Sequence, residues 1–156
     1  MKRDLRIERV FRQSPERVWR AIAEREQVAK WIMATTDFEP VVGHEFTFRA
    51  KPRRGWDGTT YCTVTEVDPP RRIAYTWRGG PGNGAPHTLD TIVSFTLAPE
   101  GAGTRMVFEQ TGFRGLGAVL VSEILRRGWI KMFRQRLERS LDDPAMPATE
   151  GRAERA

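Results

Sequence analysis

The sequence predicts a single α+β domain in which a curved antiparallel sheet of about six to seven strands is covered by one long C-terminal helix. Three observations support this fold class. Strand-like segments punctuated by glycine and proline fill the middle of the chain, two short helical patterns precede them, and one long helical pattern follows. Strands in one run with helices at the ends are typical of α+β domains rather than doubly wound ones.

The N-terminal residues predict one strand and two short helices. The strand, residues 4–12, has an alternation that is broken near Arg9, which predicts a bulge there; its apolar residues are Leu5, Ile7, Val10 and Phe11. Ser14 is a good N-cap and Pro15 suits a first helical position. A second short helix is expected over residues 26–31, ending at Trp31.

Five further strands are expected between residues 45 and 111, because β-branched and aromatic residues alternate there between turn signals. The predicted strands are 45–50, 59–67, 72–78, 88–97 and 104–111. The glycine-rich segment 79–84 joins two of them and contains a proline. It lacks the Lys-Ser/Thr and helix of a phosphate-binding loop, so we interpret it as a mobile hairpin loop at the mouth of a cavity.

After Gly115 the helical period returns and predicts one helix of about 25 residues, roughly 38 Å long. Its apolar stripe advances in steps of four residues and contains Leu116, Leu120, Ile124, Leu125, Trp129, Phe133, Leu137 and Leu141. Pro144 prevents continuation. The domain is therefore expected to span residues 1–141, and residues 142–156 are expected to form a flexible C-terminal tail.

Composition limits the cellular context. No apolar segment typical of a secretory signal follows the first residues, and no apolar run approaches the length of a membrane span, so we expect no membrane insertion. Cys62 is the only cysteine among the 156 residues, which excludes an intramolecular disulfide and favours a reducing, cytoplasmic location.

The basic character of the chain raises the question of nucleic acid. The net charge is +6, and Arg127, Lys131 and Arg134 recur on one face of the predicted long helix. Glu123 lies one turn before Arg127, a spacing that indicates an ordinary solvated helix face. No nucleic-acid motif accompanies these residues, so nucleic-acid binding is not expected.

Several motifs, in order, resemble a known family. Residues 7–19 read IERVFRQSPERVW, and residues 64–77 read VTEVDPPRRIAYTW. With Trp31, Gly43-His44-Glu45-Phe46, Gly103-Thr104-Arg105-Met106 and Gly128-Trp129, they resemble the homologues of the heat-shock-protein-90 ATPase activator within the START-like, or SRPBCC, superfamily. The resemblance covers about residues 5–141. It implies a helix-grip fold with a cavity between the sheet and the long helix, but hardly constrains function.

Aromatic residues occur in every element expected around that interior. We predict that nine of them line a pocket for a small hydrophobic or aromatic molecule: Trp31, Phe46, Phe48, Tyr75, Trp77, Phe95, Phe108, Trp129 and Phe133. A plain packed core is the alternative interpretation, and the resemblance favours the cavity. The leading hypothesis is thus a non-catalytic binding protein that needs no cofactor.

Two other functions remain open. An enzyme of the cyclase, dehydratase or hydrolase type would need polar groups in the cavity, and the available ones are Glu66, His44, His87 and Tyr75. If Cys62 and Val64 face inward, simple alternation would place Glu66 inward too, although a solvent-facing position is favoured because unpaired burial is costly. A chaperone-cofactor or stress-response role is implied by the resemblance alone.

Metal and nucleophile chemistry are not expected. The two histidines and Cys62 have no ligand spacing, so no metal site is predicted. Cys62 on a strand is interpreted as a small buried residue rather than a nucleophile. A homodimer is a further expectation, based on unpaired sheet edges and on Trp56, which we expect to be exposed.

Overall fold

The computed structural model of the protein describes residues 3–143, except for the side chain of Arg3. It confirms the α+β fold class: one antiparallel sheet of six strands in the order β1-β6-β5-β4-β3-β2, with helices against one face. The strands are β1 (Arg3–Phe11), β2 (Glu45–Arg49), β3 (Thr59–Asp68), β4 (Arg72–Gly79), β5 (Leu89–Glu100) and β6 (Gly103–Phe113). Neighbours from β2 to β6 follow in chain order, so hairpins build most of the sheet.

The bulge predicted near Arg9 is wrong. The pairing of β1 with β6 is regular from Leu5 to Phe11, and the irregularity lies between Arg3 and Leu5. Leu5, Ile7 and Phe11 are buried, and Arg9 has the same inward parity. The alternation looks broken because Arg9 points toward the C-terminal helix, where its guanidinium donates to the Glu138 carboxylate.

The two short helices are α1 (Pro15–Ala23) and α2 (Arg25–Trp31), as the capping signal indicated. The Ser14 hydroxyl accepts from the Arg17 backbone N–H at 3.3 Å, which satisfies one of the free donors of the first turn. The Trp31 indole N–H donates to the Ala21 carbonyl at 2.8 Å, which ties α2 to α1. This bond places the Trp31 ring in the core.

The long C-terminal helix consists of α3 (Ala118–Lys131), a π-helical segment (Met132–Leu137) and α4 (Glu138–Asp142) without interruption. In a regular α-helix, residues four apart are offset by about 40°. The wider turn of the π-helical segment reduces this drift. Trp129, Phe133, Leu137 and Leu141 consequently all remain buried against the sheet.

The first turns of α3 differ from the prediction. Leu116, Leu120 and Ile124 were expected on the buried stripe, but all three are exposed. The buried positions at this end of the helix are instead Ala118 and Ser122. The single-residue step from Ile124 to Leu125 explains the error. One residue turns an α-helix by about 100°, so Leu120 and Ile124 lie on a different side of the helix from Leu125 and Trp129.

The two ends of the C-terminal helix are held differently. The Arg17 guanidinium donates to the carbonyls of Leu141 at 2.5 Å and Asp143 at 3.0 Å. The Asp142 carboxylate accepts from Gln13 at 2.7 Å. At the other end, Gly117 provides no side-chain cap for α3. The last turn is therefore fastened to the segment around α1, whereas the first turn lacks such a fastening.

Within residues 3–143, no helix has both the length and the apolar character needed to cross a membrane. The predicted flexible tail, residues 142–156, lies outside the described residues apart from Asp142 and Asp143.

Candidate functional site

The nine predicted aromatic side chains lie together between the sheet and the helices. All nine are buried. Their rings form one continuous cluster, with neighbouring centroids 4.4–6.4 Å apart. We call this cluster the aromatic interior. The structure thus brings together every residue of the predicted set; whether they contact a ligand is a separate question.

Phe38, which the sequence analysis missed, also belongs to this region. Its ring packs edge-on against Phe46 at 4.9 Å and contacts Tyr75 at 6.1 Å. Phe38 lies between α2 and β2, outside any regular element, so periodicity could not have identified it.

A chain of hydrogen bonds crosses the aromatic interior at Trp129. The Trp129 indole N–H donates to Gln110 Oε1 at 3.0 Å, and Gln110 Nε2 donates to Thr91 Oγ1 at 2.9 Å. The Thr91 hydroxyl donates in turn to the Trp77 carbonyl at 2.9 Å. Because an indole only donates, the orientation of the Gln110 amide is determined. All three polar side chains are satisfied, so this chain fixes the Trp129 ring.

Gln110 and Thr91 could have been found from the sequence. Gln110 follows Met106 and Phe108 at two-residue spacing, and Thr91 precedes Val93 and Phe95 in the same way. Both therefore have the parity of core-facing residues. The predicted lining included only the aromatic members of these series.

The polar tip of Tyr75 has a different environment. The residue is fully buried, and its hydroxyl has no hydrogen-bond partner among the described residues. Its ring contacts Phe46 at 5.3 Å and Phe95 at 6.3 Å. Burial, and secondarily the nearby Cys62, raises the pKa of the Tyr75 hydroxyl well above its ordinary value. At neutral pH this group is consequently an O–H donor facing apolar surroundings.

Cys62 is buried beside Tyr75 and matches its interpretation as a core residue. Burial, and secondarily the carboxylate of Asp37, raises the pKa of the thiol strongly. A thiol with such a pKa remains protonated and is a poor nucleophile.

The larger cavity lies at one end of the sheet. It has a volume of about 810 Å³ and is bounded by the start of β5, the end of β6 and the first turns of α3; its lining comprises residues 87–92, 111–114, 116–118, Arg78 and Val121. The nine residues of the aromatic interior all lie within the described residues 3–143, and none of them belongs to the lining of this cavity. Thr91 does, so the cavity reaches the hydrogen-bond chain that leads to Trp129.

A smaller cavity of about 410 Å³ lies beside β2, β3 and β4. Its lining includes Phe46 and Cys62, and it shares Arg78 and His87 with the larger cavity. The two cavities therefore flank the base of the β4–β5 hairpin.

Glu66 faces solvent, because a bulge reverses the parity of β3. Cys62 and Val64 are buried, and simple alternation would make Glu66 their neighbour on the inner face. The pairing with β4 shifts by one residue between Val64 and Glu66. The Glu66 carboxylate consequently lies outside, where it accepts from the Arg72 guanidinium at 2.9 Å.

The two histidines also lie outside the aromatic interior. His44 Nε2 contacts the Asp37 carbonyl, and the ring lies near Phe46 at 6.3 Å. His87 is exposed and stacks on Tyr61 at 5.1 Å. Of the four polar groups considered for catalysis, Tyr75 is therefore the one that reaches the interior. Within the described residues 3–143, no three His, Cys, Asp or Glu residues are grouped so as to hold a metal ion.

The glycine-rich loop at residues 79–84 rests against the turn that precedes β3. Trp56 is half-buried rather than exposed, since its indole covers Gly79 and donates to the Thr59 carbonyl at 2.9 Å. A Cβ atom at Gly79 would lie 3.1 Å from the Trp56 ring. The Asp57 N–H donates to the Gly80 carbonyl at 2.9 Å, so the base of the loop is tied down.

Comparison with known proteins shows a family relationship. The model of the family described as "Activator of Hsp90 ATPase homolog 1-like protein" matches residues 12–142. A comparison with curated proteins found no match.

Several solved structures are similar. Protein MLL2253 from Mesorhizobium loti is 34% identical, with 90% of this chain and 97% of that chain covered and a TM-score of 0.78. Protein CV1439 from Chromobacterium violaceum is 25% identical, with coverage of 90% and 97% and a TM-score of 0.69. The Aha1 dimer from Colwellia psychrerythraea is 20% identical, with coverage of 90% and 96% and a TM-score of 0.70, a likeness of fold.

Proposed function

The chain belongs to the family of activator of Hsp90 ATPase homolog 1-like proteins, and from this premise we propose that it binds one small, mainly apolar or aromatic molecule between its C-terminal helix and its sheet. The observation that carries the proposal is the Tyr75 hydroxyl, which is fully buried and unpaired. An unpaired buried hydroxyl costs about 1–3 kcal/mol. A bound molecule with a hydrogen-bond acceptor would remove that cost.

The surroundings of Tyr75 define the ligand class. Aromatic rings enclose it, so most of the bound molecule would be apolar. Because Tyr75 remains a donor, the matching group is a carbonyl, ether or hydroxyl oxygen. The nine rings of the aromatic interior are the proposed lining, and ligand entry would require them to move apart.

The larger cavity is the proposed entrance. Its volume of about 810 Å³ lies within the range of small-molecule sites, roughly 300–1,000 Å³. Thr91 lies on its wall and is bonded through Gln110 to Trp129, so an entering molecule would meet the aromatic interior there. The loop at residues 79–84 would act as part of the gate.

The test uses the two tyrosines of the chain. A panel of aromatic ketones, phenols and matched hydrocarbons is titrated while tryptophan fluorescence is recorded. Tyr75→Phe is expected to weaken binding of the oxygen-bearing probes about tenfold and to leave the hydrocarbons unchanged. Tyr61→Phe, the same change at an exposed position, is the control and should bind like the original protein. Absence of saturable quenching by any probe would refute the proposal.

The family description supports one second candidate, a role as a chaperone cofactor. Addition of the protein to an Hsp90-type chaperone should then raise its ATPase rate, and an unchanged rate over a wide concentration range argues against this role. For the enzyme alternative no supporting arrangement exists among residues 3–143, because Tyr75 has no acid–base partner in the interior.

Self-association is proposed through the edges of the sheet. Strands β1 and β2 are the outer strands of the sheet. Within residues 3–143 no further strand pairs with the outer side of either one, although Arg49 at the end of β2 forms a single bridge with Ala34. The dimer of the Colwellia psychrerythraea protein, which shares the fold, supports self-association as such. Sedimentation equilibrium at micromolar concentration measures it directly, and a monomer throughout that range contradicts it.

A further inference from the structure

The first turns of α3 and the turn before them expose several aliphatic side chains to solvent. Four aliphatic side chains, which we call the α3 face, are between 46% and 109% exposed: Leu116, Val119, Leu120 and Ile124. Leu120 and Ile124 are one helical turn apart on α3 and Val119 adjoins Leu120, whereas Leu116 lies in the turn just before the helix. Single exposed aliphatic residues are ordinary, but a contiguous group indicates a surface that is covered in use.

Cations border the α3 face at both ends. Arg114 precedes it, and Arg127 and Lys131 continue the same side of the helix by one and two turns beyond Ile124. In the described part of the chain, no carboxylate pairs with Arg114, Arg127 or Lys131. The half-buried Glu123 is the acidic residue on this side, and the chain as a whole carries +6.

This charge arrangement disfavours a second copy of the chain as the partner. A two-fold interface brings the same patch of both copies together. Antiparallel packing centred on Leu120 would place Arg114 of one copy near Arg126 and Arg127 of the other, and parallel packing would place Arg127 on Arg127. Like charges would meet in either arrangement, at a cost in binding.

An apolar helix face bordered by arginine and lysine is suited to the interface of an anionic lipid bilayer. We propose that the α3 face docks on the surface of a membrane that contains anionic phospholipid, with the helix lying in the plane of the headgroups. The aliphatic side chains would enter the acyl boundary while the cations contact lipid phosphates. This is surface binding and requires no membrane-spanning helix.

The position of the cavity strengthens this assignment. Leu116 of the α3 face lines the larger cavity together with Arg114, and Val121 extends that lining along the helix. Docking through the α3 face would therefore bring the cavity mouth to the lipid surface, where an apolar molecule could pass between membrane and protein without crossing water.

Vesicle co-sedimentation tests the proposal with phosphatidylcholine vesicles and with equal mixtures of phosphatidylcholine and phosphatidylglycerol. The protein should partition onto the mixed vesicles, more weakly at high salt, and much less onto phosphatidylcholine alone. Leu120→Glu should reduce partitioning at least about tenfold, because one apolar contact is lost and an anion is introduced. Arg127→Ala should reduce it about fivefold at low salt.

The matched control is Val42→Glu, which places the same charge at an aliphatic residue that is 61% exposed on a loop away from α3. It should partition like the original protein. Absence of binding to the anionic vesicles, or equal losses in Val42→Glu and Leu120→Glu, would overturn the proposal. A dimer that Leu120→Glu converts to a monomer would also overturn the proposal, because a second copy would then cover the α3 face. A dimer that persists in Leu120→Glu would leave the α3 face available for lipid.

Discussion

Two buried polar groups in the aromatic interior have opposite environments. The Trp129 indole N–H is bonded to Gln110, which is bonded to Thr91, and the chain ends on a backbone carbonyl. The Tyr75 hydroxyl, also fully buried, has no partner among the described residues. Both rings are surrounded by other aromatic residues. The difference is that the neighbouring strands provide a hydrogen-bond acceptor for the Trp129 N–H but no partner for the Tyr75 hydroxyl.

This contrast separates two roles for aromatic residues in one core. A satisfied polar group fixes its ring in a single position and stabilises the folded state. An unsatisfied one lowers stability and is retained more readily where a ligand pairs with it. We accordingly expect Trp129 to be a fixed part of the proposed lining and Tyr75 to be the residue that contacts the polar group of a ligand, and four changes probe this division.

Trp129→Ala should have the largest effect. The ring contacts Phe108 at 4.4 Å and Trp77 at 5.1 Å, so its removal leaves a large void and an unpaired Gln110 carbonyl. The free energy of unfolding, measured by urea denaturation, should fall by about 3–5 kcal/mol. Trp19→Ala, at a partly buried tryptophan, is the control and should cost clearly less. Equal losses would mean that Trp129 has no special structural role.

Gln110→Leu should cost about 1–3 kcal/mol, because it leaves the indole N–H of Trp129 unpaired and removes the donor to Thr91. The same denaturation experiment measures the loss. Gln13→Leu, at a half-buried glutamine whose bond to Asp142 is exposed to solvent, is the control and should cost clearly less. A neutral result for Gln110→Leu would show that the hydrogen-bond chain contributes nothing.

Stability at alkaline pH should depend on Cys62. Its pKa is raised in the folded state, so the unfolded chain loses the thiol proton first. The stabilisation is complete below the ordinary thiol pKa of 9.0 and is lost as pH rises through the folded pKa. The loss should approach about 1.4 kcal/mol per pH unit.

Urea denaturation between about pH 8 and pH 10 measures this dependence, and Cys62→Ala should flatten it. Tyr75 contributes in the same direction at higher pH, because its pKa is raised as well. An identical pH dependence in Cys62→Ala and the original protein would contradict the assignment.

Tyr75→Phe should have the smallest effect on stability, within about 1 kcal/mol of the original protein and with stabilisation as the favoured sign. The change removes a hydroxyl that has no partner and leaves the ring contacts intact. A loss above about 2 kcal/mol would show that the hydroxyl is satisfied in solution, and the contrast with Trp129 would disappear.

The sequence predicted the fold well, because alternation and helical spacing are local signals. The positions of Ser14 and Pro15 marked the start of α1, and glycine and proline separated the strands. The order of elements then left one arrangement in which a long helix covers a sheet. All nine aromatic residues were placed in the interior on this basis.

Features that depend on strand register, helix orientation or side-chain packing were harder to predict from the sequence. The bulge before Glu66 adds one residue to β3, and no local pattern marks it. Leu116, Leu120 and Ile124 looked like part of a buried stripe, because apolar spacing does not tell which face of a helix meets the sheet. Cavity volume depends on side-chain packing across several elements, and so the space beside Thr91 could not be deduced.

The unequal fastening of the C-terminal helix has a mechanical consequence. Arg17 and Gln13 hold its last turn, whereas its first turn carries no side-chain cap. When a helix is held more firmly at one end, its displacement is greatest at the other end. Thermal bending would therefore concentrate at residues 118–124, beside the larger cavity, and amide hydrogen exchange should be faster there than at residues 129–141.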